Sequence, residues 1–267
     1  MEICILFMAA GLSSRFGGTP KILSIIGPRK ETILEMNIIQ MKKYIVPTQI
    51  HIVCNNNTYN DIVNEFKRVC KKHNIDTNIT YNIQELSKNR EKPWGTADAL
   101  SSACNYINGR VIVLNSDDIY GEKAFEDIKL YCNNANNYLI GYKLINTLIN
   151  NNKANRGFIY SENDKIESIV EKLDIEKHCY NETELENQYV SVNLFILNID
   201  VLKEIKKMVK EFKDSNTIDL KIEAMLPNFI NNLIYSNKIK LQLLKTDSKW
   251  CGVTFKDDIH IVRNLLI

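Results

Sequence analysis

The chain has 267 residues, is 45% hydrophobic and carries a formal net charge of +2. It is long enough to bury a large core, and one domain is favoured over two because α/β domains often exceed about 200 residues. The nearly neutral charge argues against a broad nucleic-acid or membrane surface, and seven scattered cysteines without a CxxC pair are typical of reduced thiols in a cytoplasmic protein.

The first half of the chain alternates between predicted strands and helices. The opening run is continuously apolar, as expected of a central parallel strand, and Glu2 stands where a signal peptide would carry positive charge. The predicted strands are "ICILFM", "QIHIVC", "NITY", "RVIVLN" and "YLIGYKL". The predicted helices are "ETILEMNIIQMKKY" with Thr32 as a cap, "YNDIVNEFKRVCKKH", "TADALSSACNYI" and "KAFEDIKLYC". This alternation predicts a parallel sheet covered on both faces.

The second half follows a different pattern. A hairpin is predicted for "RGFIYSENDKIESIVEKL", with its turn at Glu162-Asn163-Asp164, and "YVSVNLFILN" follows as a buried strand. Two amphipathic helices, "VLKEIKKMVKEF" and "LKIEAMLPNFINNLI", come next, and Pro227 is expected to kink or break the second. A last strand, "KIKLQLL", precedes "KWCGVTF" and a closing helix. No run is apolar enough for a membrane span, and no linker separates the halves.

The stretch "MAAGLSSRFGGTPK" places glycines, Arg15 and Lys21 at the carboxyl end of the first strand. Glycine lets backbone N–H groups approach phosphate oxygens, Arg15 can hold a phosphate as a fork and Lys21 as a point charge. The loop is not a Walker loop, since Ile22 follows the lysine, and it lacks the GxGxxG spacing of dinucleotide sites. It favours a triphosphate; the alternative is a plain turn with solvated cations.

Two further segments support a phosphate site. The strand "VIVLN" ends before Asp117 and Asp118, on the side of the sheet where the first loop lies, and such carboxylates can hold Mg²⁺. A polar turn is the alternative. In "KPWGTADAL", Gly95 and Thr96 begin a helix whose first N–H groups are free. Trp94 could stack on a base, although an aromatic at such a place is more often a packing residue.

These segments together resemble the nucleotidyltransferases that make nucleotide sugars. That family has a signature close to LAAGxGxR…PK, then a GTA segment, then a strand ending in a metal-binding Asp. The chain matches with "MAAGLSSRFGGTPK", "WGTADAL" and "VLNSDD", and later "SIVEKL" and "VSVNLFIL" resemble the acceptor motifs. "IIGPRKETILEMNI" and "KWCGVTFKDD" resemble a subgroup known only as nucleotidyltransferases. The resemblance implies a Rossmann-like three-layer α/β sandwich with a mostly parallel, mixed central sheet.

The pattern of elements and the lack of a linker predict one domain over residues 1–267, with a nucleotide-binding half at about 1–135 and an acceptor-binding half at about 136–267. The resemblance implies the roles of residues in each half. In the first half, Arg15 holds the outer phosphates and Lys21 reaches the α-phosphate and the incoming phosphate. The residues expected against the nucleotide are Ala9, Ala10, Gly11, Ser13, Gly95 and Thr96. Ser13 stands where the family has a second glycine, which narrows the loop or adds a hydroxyl contact.

The metal and the acceptor complete the expected site. Asp117 is expected to bind Mg²⁺, and the acceptor-binding residues are Gly141, Glu171, Lys172 and Asn193. The family often supplies a second metal-binding carboxylate as WxD, but here Cys251 and Gly252 follow Trp250. The second carboxylate ligand is then expected to be Asp118, Asp247, Asp257 or Asp258. Otherwise Asp117 and the substrate phosphates alone hold the metal.

Several functions stay open at this level. The first is transfer of a nucleoside monophosphate from an NTP, a pyrimidine nucleotide (CTP, UTP or dTTP) being favoured, to a sugar phosphate. A cytidylyltransferase acting on a non-sugar phosphate such as phosphocholine, a glycosyltransferase and a non-catalytic NTP sensor are the alternatives. The acceptor phosphate has a second pKa of about 6, so its attack needs no general base. A cytoplasmic role in surface polysaccharide or lipid-headgroup synthesis is expected from the resemblance, and self-association is left open.

Overall fold

The computed structural model describes residues 2–12, 20–87, 90–148, 153–253 and 258–265. The strands of the first half are β1 (Ile3–Met8), β2 (Gln49–Cys54), β3 (Asn78–Ile83), β4 (Arg110–Asn115), β5 (Asp118–Ile119) and β6 (Asn137–Lys143). Those of the second half are β7 (Ala154–Glu162), β8 (Lys165–Ile175), β9 (Tyr189–Asn198), β10 (Leu241–Thr246) and β11 (Cys251–Gly252).

Eight α-helices lie within the described ranges. They are α1 (Ile33–Met41), α2 (Tyr59–His73), α3 (Thr96–Ala103), α4 (Glu122–Lys129), α5 (Glu182–Asn187), α6 (Ile199–Ser215), α7 (Leu226–Tyr235) and α8 (Asp258–Leu265). The predicted alternation of strands and helices is confirmed. Helix α2 has the predicted bounds, α1 and α3 end earlier than predicted, and α6 is longer than predicted.

Nine of the described strands form one sheet in the order β3-β2-β1-β4-β9-β6-β10-β8-β7, while β5 and β11 pair separately. Among these nine, β8 and β9 run against the other seven, so the sheet is mixed but mostly parallel, as predicted. Both central turn residues of the β7–β8 hairpin, Asn163 and Asp164, have positive φ (50° and 62°), which matches the right-handed twist of the strands.

The sheet is the middle of three layers. Alternate residues of β1 face opposite sides: Ile5 and Phe7 pack with α1, α2 and α4, whereas Leu6 and Met8 pack with α3, α6 and α7. Both faces are apolar because both are covered by helices. The fold is therefore the predicted Rossmann-like α/β sandwich. No helix within the described residues has the length and apolar character needed to cross a membrane.

The second amphipathic helix is shorter than predicted, because residues 220–225 are not helical. This helix, α7, begins at Leu226, and Pro227 lies in its first turn instead of kinking its middle. Proline suits that position because the first N–H groups of a helix have no partner within it. The preceding residues are drawn out of helix by backbone hydrogen bonds from Ala224 N to Trp94 O and from Ala97 N to Ala224 O.

Helix α1 connects the core to the turn after β4. Thr32 caps it, as predicted, by accepting a hydrogen bond from Glu35 N (3.1 Å). Glu35 is fully buried and forms ion pairs with Arg68 and Lys72 of α2, which fixes the two helices together. One helical turn away from the cap, Asn37 donates from Nδ2 to the Asp118 carbonyl (2.7 Å), so α1 holds the acidic turn directly.

We expect Glu35→Gln to lower the free energy of unfolding by about 1–2 kcal/mol at pH 7. This is below the cost of breaking a fully buried pair, because Arg68 and Lys72 remain about half exposed. Burial opposes ionisation of Glu35, but its cationic partners lower its pKa to about 2. The difference in free energy of unfolding between the wild type and Glu35→Gln should therefore have its full value above pH 4.5 and decrease as the pH falls towards 2. Urea unfolding at several pH values measures it.

The exposed Glu167 supplies the control for that measurement. Glu167→Gln should change stability little at any pH. A wild-type advantage over Glu35→Gln that stays constant down to pH 3 would contradict the ion-pair account.

Candidate active site

The site forms where β1 and β4 end side by side. The two strands are parallel, and their register pairs Met8 with Asn115. The chain leaves β1 through Ala9 to Gly11 and leaves β4 through Ser116 and Asp117, so both segments emerge at one edge of the sheet. On its other side β1 pairs with β2, which makes the β1–β4 boundary the place where α/β sheets open a crevice for ligands.

A cavity of about 440 Å³ occupies this crevice, and we call it the first cavity. It brings together most residues that the sequence assigned to the nucleotide and the metal. The predicted residues that line it are Ala9, Ala10, Gly11, Lys21, Gly95, Thr96 and Asp117. Of the other three, Ser13 and Arg15 lie outside the described residues, and Asp118 lines a second cavity.

Lys21 and Asp117 form the charged contact of this cavity. Lys21 Nζ lies 3.1 Å from Asp117 Oδ2, although the residues are 96 positions apart. Lys21 begins a short 3₁₀ turn whose Ile22 is buried, so packing of the next residue fixes where the lysine emerges. The Asp117 side chain is 37% exposed. It can therefore still meet a ligand beside the lysine.

Asn55, at the carboxyl end of β2, holds the first loop in place. Its Nδ2 donates to the carbonyls of Ala10 (3.2 Å) and Gly11 (3.1 Å). Its Oδ1 accepts hydrogen bonds from the backbone of residues 57 and 58, which fixes the amide orientation. The sequence reasoning missed Asn55, but the rule that parallel strands end at one edge could have found it.

The Gly95-Thr96 segment is braced by the chain before α7. Gly95 has φ 107°, and a Cβ there would lie 2.8 Å from the Ala224 carbonyl oxygen. Thr96 Oγ1 accepts from Leu226 N (2.9 Å). Glycine is needed for both its conformation and this close approach. Trp94, just before, is 6% exposed and donates to Ser87 Oγ, so it packs in the protein.

Gln84, which the sequence reasoning also missed, lines the first cavity with a fixed amide orientation. Its Nε2 donates to the Gly95 carbonyl (3.2 Å) and to Asp98 Oδ2 (2.7 Å), both of which only accept. Lys213 of α6 forms an ion pair with Asp98. The amide nitrogen is thus committed to the protein, and the amide oxygen is left as an acceptor for a ligand.

A second cavity, of about 230 Å³, adjoins the first. Asn115, Asp117 and Met225 line both cavities, so Asp117 stands at their junction. The predicted residues that line the second cavity are Asp117, Asp118, Glu171 and Asn193. Residues that the sequence reasoning missed there are Arg156, Gly157, Ser191 and Trp250.

The β7–β8–β9 strands shape the second cavity. Gly157 of β7 pairs with both Glu171 of β8 and Ser191 of β9, and a Cβ on Gly157 would lie 2.8 Å from Ile169 Cγ2 and 3.3 Å from Ser191 Cβ. Asn193 has φ 61°, a conformation that Asn tolerates better than most residues, within an irregular stretch of the β6–β9 ladder. Such an irregularity redirects side chains, here towards the cavity.

Two predicted acceptor residues lie outside the second cavity's described lining. Gly141 of β6 faces packed side chains, and a Cβ there would lie 2.4 Å from Leu243 Cδ1. Lys172 lies with its Nζ 4.0 Å from the centroid of the Phe158 ring. Glu171 and Lys172 are neighbours in a strand, and the alternation of side chains separates them.

The carboxylates of the second cavity are in unusual surroundings. Burial and then the negative charge of Asp117 raise the pKa of Asp118 to about 7, although Asn115 donates to its Oδ2 (2.9 Å). Burial also raises the pKa of Glu171, and the Arg156 charge opposes that shift. Carboxylates that are costly to ionise in the free protein favour a cation or hydrogen-bond donors in the bound state.

Asp118 lies close to the position where the WxD carboxylate is absent. Gly252 pairs with Asp118 in the β5–β11 ladder, and a Cβ on Gly252 would lie 3.0 Å from Asp118 Oδ1. Of the other carboxylates considered, Asp247 pairs with Lys143 on the surface, Asp258 is buried at the start of α8, and Asp257 lies outside the described residues.

The model of the nucleotidyl transferase family matches residues 19–261 of the chain. No curated protein is significantly similar in sequence. Similar solved structures include a putative glucose-1-phosphate thymidylyltransferase from Bacillus anthracis in complex with a sucrose (16% identity, TM-score 0.69, covering 99% of this chain and 95% of that one). A UDP-glucose pyrophosphorylase complexed with UDP-glucose has 15% identity, TM-score 0.67 and coverage of 99% and 98%.

A third similar structure is the CTP:phosphocholine cytidylyltransferase from Streptococcus pneumoniae, with 11% identity, TM-score 0.66 and full coverage of both chains. At these identities the three structures establish a shared fold.

We expect Gly95→Ala to lower the free energy of unfolding by about 1–3 kcal/mol, because alanine is strained at positive φ and its Cβ meets the Ala224 carbonyl. Gly11→Ala is the control: Gly11 lines the same cavity, and its Cβ would meet nothing within 4 Å. Urea unfolding of both variants tests this. Equal stability of the two variants would show that the close approach at Gly95 does not matter.

Proposed function

Because the chain belongs to the nucleotidyl transferase family, we propose that it transfers a nucleoside monophosphate from a nucleoside triphosphate to a phosphorylated small molecule and releases pyrophosphate. The observation that carries the proposal is the position of Asp117. It lies where the two cavities meet and is paired with Lys21. Two phosphate-bearing substrates, one in each cavity, would meet beside these two charged groups.

The reaction joins two anions, so charge is its main obstacle. An oxygen of the acceptor phosphate attacks the α-phosphorus, the new P–O bond forms, and the bond to pyrophosphate breaks. The acceptor is mostly a dianion at neutral pH, so no side chain has to remove a proton. Lys21 lies where it can reduce the repulsion between the phosphates and stabilise the charge that develops in the transition state.

Asp117 and Asp118 are the proposed ligands for Mg²⁺. Among the described residues no group of three or more His, Cys, Asp or Glu side chains could hold a metal. That fits Mg²⁺, which proteins usually bind through one or two carboxylates together with substrate phosphates and waters. Asp117 is accessible, and Asp118 lies beside the position that lacks the WxD carboxylate. When bound, Mg²⁺ would neutralise phosphate charge at the junction.

For the acceptor we propose a sugar phosphate. Glu171, Ser191 and Asn193 offer the second cavity polar groups that suit hydroxyls. A quaternary ammonium group prefers an open aromatic face, but Arg156 already covers one face of the Trp250 ring, 4.3 Å from its centroid. Phosphocholine, the substrate named for one structure of the same fold, is the alternative. A cytoplasmic role in surface polysaccharide synthesis is part of the same proposal.

For the nucleotide we propose a pyrimidine triphosphate. The Gln84 amide oxygen, to which no described residue donates a hydrogen bond, is compatible with such a base, because it can accept from the amino group of cytosine or the N3–H of uracil and thymine. The family assignment removes the support for the glycosyltransferase hypothesis. A non-catalytic NTP sensor remains as the function that an activity measurement separates from ours.

We expect a pyrimidine triphosphate to stabilise the protein against heat only when Mg²⁺ is present. Ligand at 100 times its dissociation constant adds about 2.7 kcal/mol. Asp117→Asn should remove the Mg²⁺-dependent part, and Asp61→Asn, an exposed aspartate on α2, should not. Thermal melts with CTP, UTP, dTTP, GTP and ATP, each with and without Mg²⁺, measure both effects. A Mg²⁺ effect that survives in Asp117→Asn would assign the metal to another carboxylate.

We expect Lys21→Ala to lower turnover about 10²- to 10³-fold while weakening nucleotide binding much less, because its charge acts on the transition state. Pyrophosphate release from each pyrimidine triphosphate with glucose 1-phosphate or phosphocholine measures turnover, and melts measure binding. Lys67→Ala, an exposed lysine on α2, is the control. Unchanged turnover in Lys21→Ala would remove this residue from the reaction, and nucleotide binding without pyrophosphate release would favour the sensor.

A further inference from the structure

Arg156 of β7 is a cation held rigidly at the second cavity. Its Nη1 donates to the Asn155 carbonyl and its Nη2 to the Thr147 carbonyl, both at 2.7 Å. The guanidinium stacks on the Trp250 ring at 4.3 Å from the ring centroid. An arginine held by two backbone carbonyls and an aromatic face has little freedom left to lose when a ligand binds.

The described residues do not accept hydrogen bonds from all the N–H donors of Arg156. A guanidinium has five N–H donors, and two of them make these bonds, which leaves three. One of the three, Nε, is buried without a hydrogen-bond partner among the described residues. Buried donors without partners cost free energy, and a ligand rich in oxygen would remove that cost.

The charges around the cavity point to the same conclusion. Arg156 is the sole cation among its described lining residues, which also include Asp117, Asp118 and Glu171. An anionic group that enters so acidic a cavity needs a cation, and the guanidinium fork matches a phosphate. Lys172, which the sequence predicted to be an acceptor-binding residue, lies over the Phe158 ring.

We propose that Arg156 binds the phosphate of the acceptor in the second cavity and is the basic residue on which acceptor recognition depends. The inference rests on the proposed function for the identity of the ligand as an acceptor. Glu171 is then left for the hydroxyl groups of the same molecule, since it would repel the phosphate. A substrate phosphate held by Arg156 would share the second cavity with Asp117, which also lines the first cavity.

A fluorescence titration tests this directly, because the chain has two tryptophans and one of them stacks on Arg156. Trp94→Phe leaves Trp250 as the reporter. The probes are inorganic phosphate, glucose 1-phosphate and phosphocholine, with glucose and choline as unphosphorylated controls, all titrated into the millimolar range. We expect the phosphorylated probes to change the Trp250 emission and the unphosphorylated ones to leave it unchanged.

In the Trp94→Phe background, Arg156→Gln should weaken phosphate binding about 10- to 100-fold, as expected for loss of a charged hydrogen-bonding group. Arg156→Lys should give an intermediate loss because it keeps the charge but not the fork. Lys67→Gln removes an exposed positive charge elsewhere and should have no effect. Thermal melts establish that each variant is folded, and KM for the acceptor should rise with little change in nucleotide binding.

Three results of the binding titrations would overturn the proposal: no binding of any phosphorylated probe to the reporter protein, unchanged binding in folded Arg156→Gln and Arg156→Lys, or a loss in Lys172→Gln instead. These are distinct from failure of the proposed function. If phosphates bind through Arg156 but no triphosphate yields pyrophosphate, the anion site stands and the transfer reaction does not. If pyrophosphate is released and Arg156 variants keep their KM for the acceptor, the reaction stands and the role of Arg156 does not.

Discussion

The parallel pairing of β1 with β4 is the constraint on which the site depends. Its register places Met8 beside Asn115, so the segments that follow the two strands emerge together. Lys21 and Asp117 meet for this reason, although 96 positions separate them. The same pairing sets β9 beyond β4, because β4 has only one free edge, and the antiparallel half of the sheet thereby begins next to the acidic turn. The two cavities adjoin as a consequence of strand order.

Adjacent aspartates acquire different environments because the turn that carries them is fixed from several sides. Asn37 of α1 donates to the Asp118 carbonyl, and Val253 N donates to the Asp117 carbonyl. Asn115 donates to the Asp118 carboxylate. Asp118 is thus drawn into the protein while Asp117 stays accessible at the junction. A turn free to rotate would average these positions, and neither carboxylate would then have a defined relation to Lys21.

The sequence alone could predict the site residues that follow the parallel strands. It could predict only some of the residues that the antiparallel strands contribute. Ala9, Lys21, Gly95 and Asp117 follow from one rule, that parallel strands end at the same edge of the sheet. Which residues of the β7–β8 hairpin face a ligand depends instead on register and on its irregularities. The pattern pointed to Lys172, whereas the strand pairing brings Arg156 to the cavity. Gln84 and Asn55 were missed because they act through side-chain hydrogen bonds, and a periodic pattern in the sequence does not reveal such bonds.

This division has a physical consequence for how the two substrates are recognised. The first cavity depends on backbone segments and on side chains such as Gln84 whose orientation is fixed by neighbouring carbonyls and carboxylates. The second depends on side chains from three strands that meet through irregular pairing, including Asn193 in a left-handed conformation. A change of one residue there redirects or replaces a contact without disturbing the parallel sheet. In the proposed function, recognition of the acceptor could therefore vary at low cost to the fold, through residues of the second cavity such as Arg156 and Glu171.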